Sequence, residues 1–454
     1  MQPSSKWTAV LGWLLWSHVL MLMAVSPRKG GNDLGIVLFQ SGFASLSLIM
    51  LLRACYDREQ PFLVSQWQPR IGMALVWSGF LFFLFGNTGY GVNRELVMPW
   101  RLACLPLLAV YFLPHDPPVK SLIRFVYRWR RGVFAVLCVA AVVLRIVAMF
   151  VSPNPEIDVF WFTNQGAASI LDGINPYDRS YTVIDPKSEF LYAYLPGQFL
   201  IDTPAVVLLG NMRWGQILLE LLAAVLTYRL VMGKGSGSRR QHSAELATLL
   251  LLYFPQVLRM QEQSWVEFKQ VFGMALFVYL LTRWPERARP WLALGFLFSL
   301  KQTTWAAWPF LQRLKPFGIR PALITGAVMA ILIVPFILWN PYAFYDDIVL
   351  YHVGLGIPGS TSLSRAYVLA TGTEPPLWWV AVAGGAVLLY LWRFGEKSLL
   401  GFLLAASALG MLPVLLRQAF LNYYYYIDAT LLIALAWMLR RQHDRDEGIA
   451  EVAL

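Results

Sequence analysis

Long runs of apolar residues, separated by shorter polar connections, dominate the hydrophobic pattern of this chain. Each run has about 15–20 residues, roughly the length of an α-helix that crosses a bilayer when modest tilt or thinning is allowed. The runs lie at about 8–25, 34–52, 71–86, 97–114, 132–151, 214–232, 244–258, 266–283, 321–339, 377–392, 398–416 and 424–439. The pattern predicts an all-α polytopic membrane protein with about 12–14 transmembrane helices. No A-x-A-like cleavage site follows the first run, so we expect it to be a retained span.

Two stretches interrupt the regular spacing. Residues 194–210, "YLPGQFLIDTPAVVLLG", contain two prolines, a glycine and Asp202, which are poor choices for a straight helix that faces lipid. In 290–314, two apolar arms, each too short to cross comfortably, are joined by the polar sequence "KQTT" at 301–304. We expect 194–210 not to span the membrane and 290–314 to form a helical hairpin.

The distribution of positive charge predicts the orientation. Basic clusters occur at 120–131, 234–240, 283–289, 313–320 and 440–445. Cytoplasmic loops carry an excess of Lys and Arg, and all five clusters can be cytoplasmic only with the assignments given to 194–210 and 290–314. Both termini are then cytoplasmic, and two large extracytoplasmic loops lie at 152–193 and 340–376. Most of the unusual polar residues converge on this outer face.

The topology predicts three parts. Residues 1–127 form a four-helix transmembrane appendage to which the sequence assigns no role. Residues 128–440 form a transmembrane core that contains both outer loops, and 441–454 form a cytoplasmic tail.

Composition excludes several classes of protein. The chain is 57% hydrophobic and 14% charged, whereas a soluble domain has about 25% charged residues. The formal net charge of +11 could indicate a nucleic-acid-binding protein, but most of the Lys and Arg residues fall in short loops between helices. The three cysteines are scattered without a CxxC pair, and the five histidines lack metal-ligand spacing. We expect no disulfide framework, no histidine metal site and no nucleic-acid partner.

The first outer loop begins with the sequence "PEIDVFW" at 155–161, which contains two carboxylates. After Asp158, apolar residues follow helical spacing, which predicts an amphipathic helix along the outer interface that ends at Gly173. Asp158 would lie near the start of this helix, where backbone amides favour an anion. Glu156 and Asp158 could also be ordinary capping acids, and this alternative stays open.

Other motifs on the outer face have similarly ordinary alternatives. The aromatic run at 189–200 and "LNYYYYID" at 421–428 could be interface anchors, and Lys301 at the hairpin tip could snorkel to water. Glycine and serine at 354–361 predict a mobile segment that closes over a ligand, or else a solvated loop. Glu262 and Glu267 flank the outer end of another helix, where capping or solvation is the simpler interpretation.

In combination, these motifs resemble the GT-C superfamily of membrane glycosyltransferases. They are most similar to the polyprenyl-phosphate-mannose-dependent mannosyltransferases, of the glycosyltransferase family 87 type. The matching sequences are "EIDVFWFTNQGAASILDGINPY", "YAYLPGQFL", "SLKQTTWAAWPFL" and "FLNYYYYI", and the resemblance covers roughly 130–440. The family often shows a "YPP" run where this chain has "YLPG", and the four leading spans lie outside the usual core pattern.

The resemblance implies a GT-C-like integral membrane glycosyltransferase of the cell membrane. It would move mannose, or a related hexose or pentose, from a polyprenyl-phosphate donor to a hydroxyl of a lipid or glycan acceptor on the extracytoplasmic side. Asp158 is the expected catalytic base, because the family's acid has this position relative to the preceding span. Glu156 is the second choice, and it could instead orient the acceptor or share a divalent metal with Asp158. We favour a reaction without a metal and expect no other cofactor.

Donor binding needs cations and hydrogen-bond donors on the same face. The residues expected at the donor phosphate and lipid are Lys301, Gln302, Arg365, Arg417, Tyr423 and Tyr424. The residues expected on the acceptor side are Tyr194, Glu262 and His352.

Two other functional classes remain open. A transporter or flippase of lipid-linked sugars would also have many spans and charges within the membrane, although we find no internal repeat and the polar residues gather at one face. An oligosaccharide polymerase or ligase of another membrane fold would also have large outer loops, but such enzymes usually depend on basic residues. A purely structural membrane component would leave the convergence of polar motifs unexplained.

Overall fold

Helices form almost all of the described part of the chain. The computed structural model describes residues 33–55, 120–155, 157–182, 189–254, 257–351, 362–416 and 421–449, together with residues 99, 102 and 360. One short antiparallel β-pair joins β1 (Tyr181–Thr182) to β2 (Glu189–Phe190). The prediction of a helical architecture is confirmed for this part of the chain.

The helices follow the apolar runs in chain order. The first eight described helices are α1 (Leu34–Cys55), α2 (Lys120–Val151), α3 (Asp158–Ser169), α4 (Gly197–Leu209), α5 (Arg213–Met232), α6 (Ser238–Leu252), α7 (Val257–Glu262) and α8 (Glu267–Arg283). The others are α9 (Arg289–Phe298), α10 (Ile319–Trp339), α11 (Pro341–Tyr345), α12 (Leu363–Thr371), α13 (Leu377–Phe394), α14 (Leu399–Leu416) and α15 (Leu421–Asp446). Two 3-10 helices (Pro176–Asp178 and Gln302–Arg313) and a π-helix (Asp346–Leu350) complete the described elements.

One predicted run differs from the structure. The run at 244–258 is divided between α6, which ends at Leu252, and the short α7, which begins at Val257. The sequence has Pro255 between them, and a proline disfavours helical backbone at the residue before it. The predicted runs at 8–25, 71–86 and 97–114 lie outside the described residues, apart from residues 99 and 102.

Three described helices are long and apolar enough to cross a membrane: Trp129–Val151, Arg213–Met232 and Ile319–Trp339. Their outward side chains are apolar, as at Phe150, which is 70% exposed, and Leu338, which is 75% exposed. Their interior holds charged side chains, including Arg145 and Glu220, which are both fully buried. Apolar surface outside and paired charge inside is the arrangement expected of a helical membrane protein.

Helix α4 is shorter than a span. Its 13 residues reach about 20 Å at 1.5 Å per residue, whereas the hydrocarbon core of a bilayer is about 30 Å thick. This length supports the prediction that 194–210 does not cross.

The predicted hairpin at 290–314 is present. The ring of Trp291 lies 5.6 Å from that of Phe317, and Phe298 lies 5.6 Å from Trp308, so the two arms run antiparallel. The first arm is α9 and the second is the 3-10 helix 302–313, which packs against α14. Lys301 lies at the turn between them, as predicted.

Helix α5 is at the centre of the bundle. It packs against α2, α4, α6, α7, α8 and α15, and α15 in turn packs against α6, α8 and α14. Helix α1, from the predicted appendage, packs against α12, α13 and α14. The described part of the appendage is therefore attached to the C-terminal helices of the predicted core.

Three of the predicted basic clusters meet at one end of the bundle, which we call the basic end. Arg130 pairs with Glu245 at 2.8 Å, and an Arg131 guanidinium nitrogen donates to the Gln241 Oε1 at 3.2 Å. Arg240 pairs with Asp444 in the C-terminal cluster. These contacts support the prediction that the clusters share one side.

The opposite end, which we call the loop end, carries the loop that the sequence predicts to be the first outer loop. Helix α2 ends here, and α5, α8 and α15 begin here. Arg213 donates to the Ser152 carbonyl at 2.6 Å, and Gln216 donates to the Ser264 carbonyl at 3.0 Å, so side chains of α5 hold both neighbouring chain segments.

The buried pair of Arg145 and Glu220 joins α2 to α5. The Arg145 Nε donates to Glu220 Oε2 at 2.6 Å, and its two terminal nitrogens donate to the carbonyls of Ala141 and Leu252 at 2.8 and 2.6 Å. All of the guanidinium's neighbours are therefore protein atoms.

We expect Glu220→Ala to destabilise the protein by about 3–5 kcal/mol, because it leaves the buried Arg145 charge uncompensated. Thermal unfolding of the detergent-purified protein measures this change. Asp172→Asn, at an exposed acid of the first loop, is the matched control and should leave the unfolding temperature unchanged. Equal unfolding temperatures for Glu220→Ala and the control would contradict the assigned role of the pair.

Candidate functional site

Asp158 is the first residue of α3. Ile157 precedes it as an N-cap residue without a side-chain hydrogen bond, and the Asp158 Oδ1 accepts a hydrogen bond of 2.8 Å from the Val159 amide. The carboxylate therefore stabilises the helix start, as the capping interpretation proposed. Burial raises the pKa of Asp158 above its ordinary value, while backbone hydrogen bonds act in the opposite direction. Such a carboxylate accepts a proton more readily than a solvated one.

The interpretation of α3 as a helix with an apolar face on the lipid interface is corrected by its packing. Its apolar face, which includes Phe160, Phe162 and Ala167, is buried, and the helix packs against α4 and the first-loop strand β1. The helical spacing of apolar residues reflects protein packing here. The helix ends at Ser169, four residues before the predicted Gly173. Gly173 lies in the turn that follows, with φ +67°, a left-handed conformation that favours glycine.

The tyrosines after α3 form a packed cluster under the first loop. Tyr192 is fully buried and Tyr194 is 8% exposed, so the alternative of an interface anchor is wrong for both. Tyr177 donates from its hydroxyl to the Tyr194 carbonyl at 2.7 Å, and its ring lies 5.7 Å from that of Tyr192. The cluster fixes the backbone of the loop between α3 and α4.

Lys301 is buried and paired. Its Nζ lies 2.8 Å from the Glu267 Oε1, and the same oxygen accepts a hydrogen bond of 2.9 Å from Asn422 Nδ2. The ammonium also lies 4.1 Å from the ring centre of Tyr423 and 5.4 Å from that of Tyr194. At 3% exposure, Lys301 does not snorkel to water, and that alternative is wrong.

The interpretation of Glu267 as a capping or solvated acid is also wrong. Glu267 begins α8 and is fully buried against Lys301 and Asn422. The tyrosine run of 423–426 lies close by, and Tyr424 and Tyr425 are buried in the bundle, so they do not form an exposed aromatic belt.

A small pocket adjoins the Lys301–Glu267 pair. Its cavity volume is about 20 Å³, which is room for roughly one water molecule. Its polar lining comes from Glu267, Gln270, Lys301, Thr303, Thr304, Tyr423 and Tyr426, and its apolar lining from Ala306, Ala307, Ala406, Leu409 and Gly410. Two buried lining atoms, Glu267 Oε2 and Gln270 Nε2, have no hydrogen-bond partner among the described residues. The pocket therefore offers an unused acceptor and an unused donor to a ligand.

Tyr194 connects this pocket with Asp158. Burial is the main cause that raises the pKa of Tyr194, and the negative charges of Glu267 and Asp158 both raise it further. Both carboxylates therefore lie within electrostatic range of one phenol. The pKa of Tyr351 is likewise raised by burial and by the negative charge of Asp158. Of the predicted site residues, the structure brings Tyr194, Lys301 and Tyr423 into contact, and Asp158 acts on Tyr194 through its charge.

Three other predicted site residues, Gln302, Glu262 and Arg365, are also described by the structure. Gln302 Nε2 makes a long hydrogen bond of 3.5 Å to the Ala193 carbonyl, beside Tyr194. Glu262 ends α7, is 1% exposed and interacts electrostatically with Arg213. Arg365 belongs to α12, which packs against α1 and α14, and its backbone N–H donates to the Ser362 hydroxyl at 3.3 Å.

Three predicted site residues, Glu156, His352 and Arg417, lie outside the described residues, as does most of the predicted mobile segment at 354–361. The proposed sharing of a metal between Glu156 and Asp158 therefore stays a prediction. Among the residues that the structure describes, no three His, Cys, Asp or Glu side chains come together as a metal site.

Sequence reasoning missed a second buried pair, between Lys269 of α8 and Asp202 of α4. Both side chains are fully buried and form an ion pair, and Asp202 Oδ1 has no partner among the described residues. The signal was a charge of opposite sign within each of two apolar stretches, Asp202 in 194–210 and Lys269 in 266–283. An unpaired charge there is costly, and the structure supplies the partner.

Asp347, in the predicted second outer loop, holds the loop between α3 and α4. Its Oδ2 accepts a hydrogen bond of 2.9 Å from the Tyr192 amide, and the side chain is 1% exposed. Burial raises the pKa of Asp347 to about 8, an effect that the Tyr192 hydrogen bond reduces and the charge of Asp346 increases.

A raised carboxyl pKa makes stability fall as pH rises. The ordinary pKa of Asp is about 3.9, so the folded protein holds this proton more tightly than the unfolded chain until pH reaches about 8. We expect Asp347→Asn, which retains an acceptor for Tyr192 and cannot ionise, to unfold at a higher temperature than the wild type at pH 9. At pH 4 the two proteins should unfold at nearly the same temperature.

Thermal unfolding across this pH range measures the difference, and Asp172→Asn is again the exposed control. A constant difference between Asp347→Asn and the wild type at all pH values would show that the Asp347 carboxyl does not titrate in this window.

Comparison with known proteins does not place this chain in a family. The chain matches no protein-family model, no curated protein and no solved structure. Its function must be argued from the residues of the site.

Proposed function

We propose that the protein is a membrane glycosyltransferase that moves a sugar from a polyprenyl-phosphate donor to an acceptor hydroxyl at the loop end. The observation that carries the proposal is that Tyr194 lies beside a buried cation, with the Lys301 ammonium 5.4 Å from its ring centre, and that the charge of the half-buried Asp158 carboxylate also raises the pKa of Tyr194. Transfer from a sugar phosphate needs a base for the entering hydroxyl and a positive charge for the leaving phosphate. A site with both groups suits this reaction.

Asp158 is the proposed base. As the acceptor oxygen forms its bond to the anomeric carbon, its proton passes to the Asp158 carboxylate. The bond between the anomeric carbon and the phosphate oxygen breaks at the same time, and the phosphate leaves with the bonding electrons. Burial raises the pKa of Asp158 above its ordinary value. A general base is more effective when its pKa is closer to the working pH.

Lys301 is the proposed partner of the leaving phosphate. The small pocket beside it is lined by the polar residues Glu267, Gln270 and Lys301 and by alanines and Leu409, and it must widen to admit a donor phosphate. In the described structure the ammonium is already neutralised by Glu267. A donor phosphate therefore competes with the Glu267 carboxylate for Lys301, which makes Glu267 a regulator of donor affinity.

Transport of a lipid-linked sugar is the second candidate. The pairs Arg145–Glu220 and Asp202–Lys269 favour it, because buried charges within membrane helices often belong to transport pathways. The carboxylate at the start of α3 has no necessary role in transport. The two candidates therefore differ in what Asp158 must do.

We expect Asp158→Asn to lower sugar transfer by about 10²–10⁴-fold, because the amide cannot accept the hydroxyl proton. The assay uses membranes and radiolabelled polyprenyl-phosphate sugars, and separates acceptor-linked product from donor. Asp172→Asn, in the same loop but exposed, is the matched control. Undiminished transfer by folded Asp158→Asn would remove Asp158 as the base, whereas accumulation of unreacted donor across vesicles would favour transport.

Substitutions at the Lys301–Glu267 pair should have opposite effects on donor binding. Glu267→Gln keeps a hydrogen-bond acceptor but removes the competing charge, so we expect polyprenyl phosphate to bind about tenfold more tightly. Lys301→Met removes the cation and should weaken binding by a similar factor. Equilibrium binding to the detergent-purified variants measures both effects. Weaker binding by Glu267→Gln would show that Glu267 supports the ligand and does not compete with it.

A further inference from the structure

A second cleft lies at the basic end, where α8 ends and where α9 and α10 begin. It is lined by Trp284, Glu286, Arg287, Ala288, Arg289 and Arg320, and it holds about 1280 Å³ of space, including its open mouth. The starts of α9 and α10 lie side by side, since Thr325 donates from its hydroxyl to the Trp291 carbonyl at 3.2 Å. The cleft is far along the chain from Asp158 and takes no part in the proposed reaction.

The cleft is cationic. Three arginines and one glutamate line it, and all four side chains are exposed. None of the three arginines forms an ion pair with another residue in the described ranges. The Arg289 guanidinium carbon lies 5.0 Å from the ring centre of Trp284, which orients the side chain. Arginine binds phosphate oxygens well because its planar group presents two parallel donors.

An exposed apolar surface continues from the cleft along both helices. Leu292 lies three residues after Arg289, and Leu323 lies three residues after Arg320, so each leucine shares a helix face with its arginine. Leu292 is 47% exposed and Leu323 is 68% exposed. On α10 the same face continues through Ile331 and Leu338, which are 71% and 75% exposed. This apolar stripe begins directly below the cationic cleft.

We propose that the cleft binds an anionic phospholipid. The headgroup phosphate lies among Arg287, Arg289 and Arg320, and an acyl chain lies along the Leu323 face of α10. Charge complementarity selects the anionic headgroup, since basic pockets at the ends of membrane helices bind such lipids. The apolar stripe selects a lipid over a free phosphate, because free phosphate leaves that stripe uncovered. This site is independent of the proposed glycosyltransferase activity.

Snorkelling is the simpler explanation of arginines at helix ends. It requires only that each guanidinium reach water, and it predicts no preference among lipids. Bound lipid at a defined site instead predicts a preference for an anionic headgroup that depends on these three arginines and on no other basic residues.

Native mass spectrometry of the detergent-purified protein tests the proposal with phosphatidylglycerol and phosphatidylcholine of equal chain length. We expect the wild type to retain phosphatidylglycerol in preference. The triple variant Arg287→Gln, Arg289→Gln and Arg320→Gln should lose affinity by about fivefold for each arginine removed. The control triple variant is Lys234→Gln, Arg239→Gln and Arg445→Gln, three exposed residues elsewhere at the basic end. It has the same change in net charge and should bind phosphatidylglycerol as the wild type does.

Three results would overturn the proposal. Equal retention of the two lipids by the wild type would leave snorkelling as the role of the arginines. Equal loss in both triple variants would show that net charge, and not the cleft, attracts the lipid. Displacement of phosphatidylglycerol by an equal concentration of inorganic phosphate would show that the acyl chain contributes nothing. Because all six substituted side chains are exposed, the variants are expected to fold, and thermal unfolding verifies this.

Discussion

Charged side chains inside an apolar bundle must find their partners within the protein, and this constraint determines how the helices meet. Lipid is as apolar as the core, so hydrophobic burial does little to orient one membrane helix against another. The buried pairs supply that orientation: Arg145–Glu220 joins α2 to α5, Asp202–Lys269 joins α4 to α8, and Lys301–Glu267 joins the hairpin tip to α8. Each pair connects elements that are distant in sequence.

Helix α8 is the element on which the loop end depends. Glu267 and Lys269 are two residues apart, so they point about 200° apart around the helix axis. One therefore reaches the hairpin tip and the other reaches α4. Helix α4 and the hairpin also contact each other directly, because the Gly197 amide donates to the Ser299 carbonyl at 3.0 Å. A Cβ at residue 197 would lie 2.7 Å from that carbonyl oxygen, so only glycine permits this approach.

The sequence predicted the features that follow from the local pattern of apolar and charged residues. It did not predict the features that depend on which side chains meet in the folded protein. Helix positions, the hairpin and the common end of the basic clusters follow from apolar run lengths and from the placement of Lys and Arg. The burial of Glu267 could not be predicted, because an acid that caps a helix and an acid that pairs with Lys301 have the same local sequence. The apolar face of α3 was wrongly predicted to face lipid, for a similar reason. Helical spacing shows that the apolar residues share one face, but it does not show whether lipid or another helix covers that face. At the candidate site, the sequence placed Asp158, Tyr194, Lys301 and Tyr423 on one face, but their mutual distances depend on α8, which it could not orient.

The pairing of Asp202 with Lys269 also has a consequence for how the chain is made. The two residues are 67 positions apart, and at about 5–20 residues per second a ribosome needs roughly 3–13 s to add that length. During this interval Asp202 has left the ribosome while its counter-ion does not yet exist. Burial of an unpaired aspartate among apolar side chains is costly, so we expect α4 to pack against α8 only after Lys269 has been made.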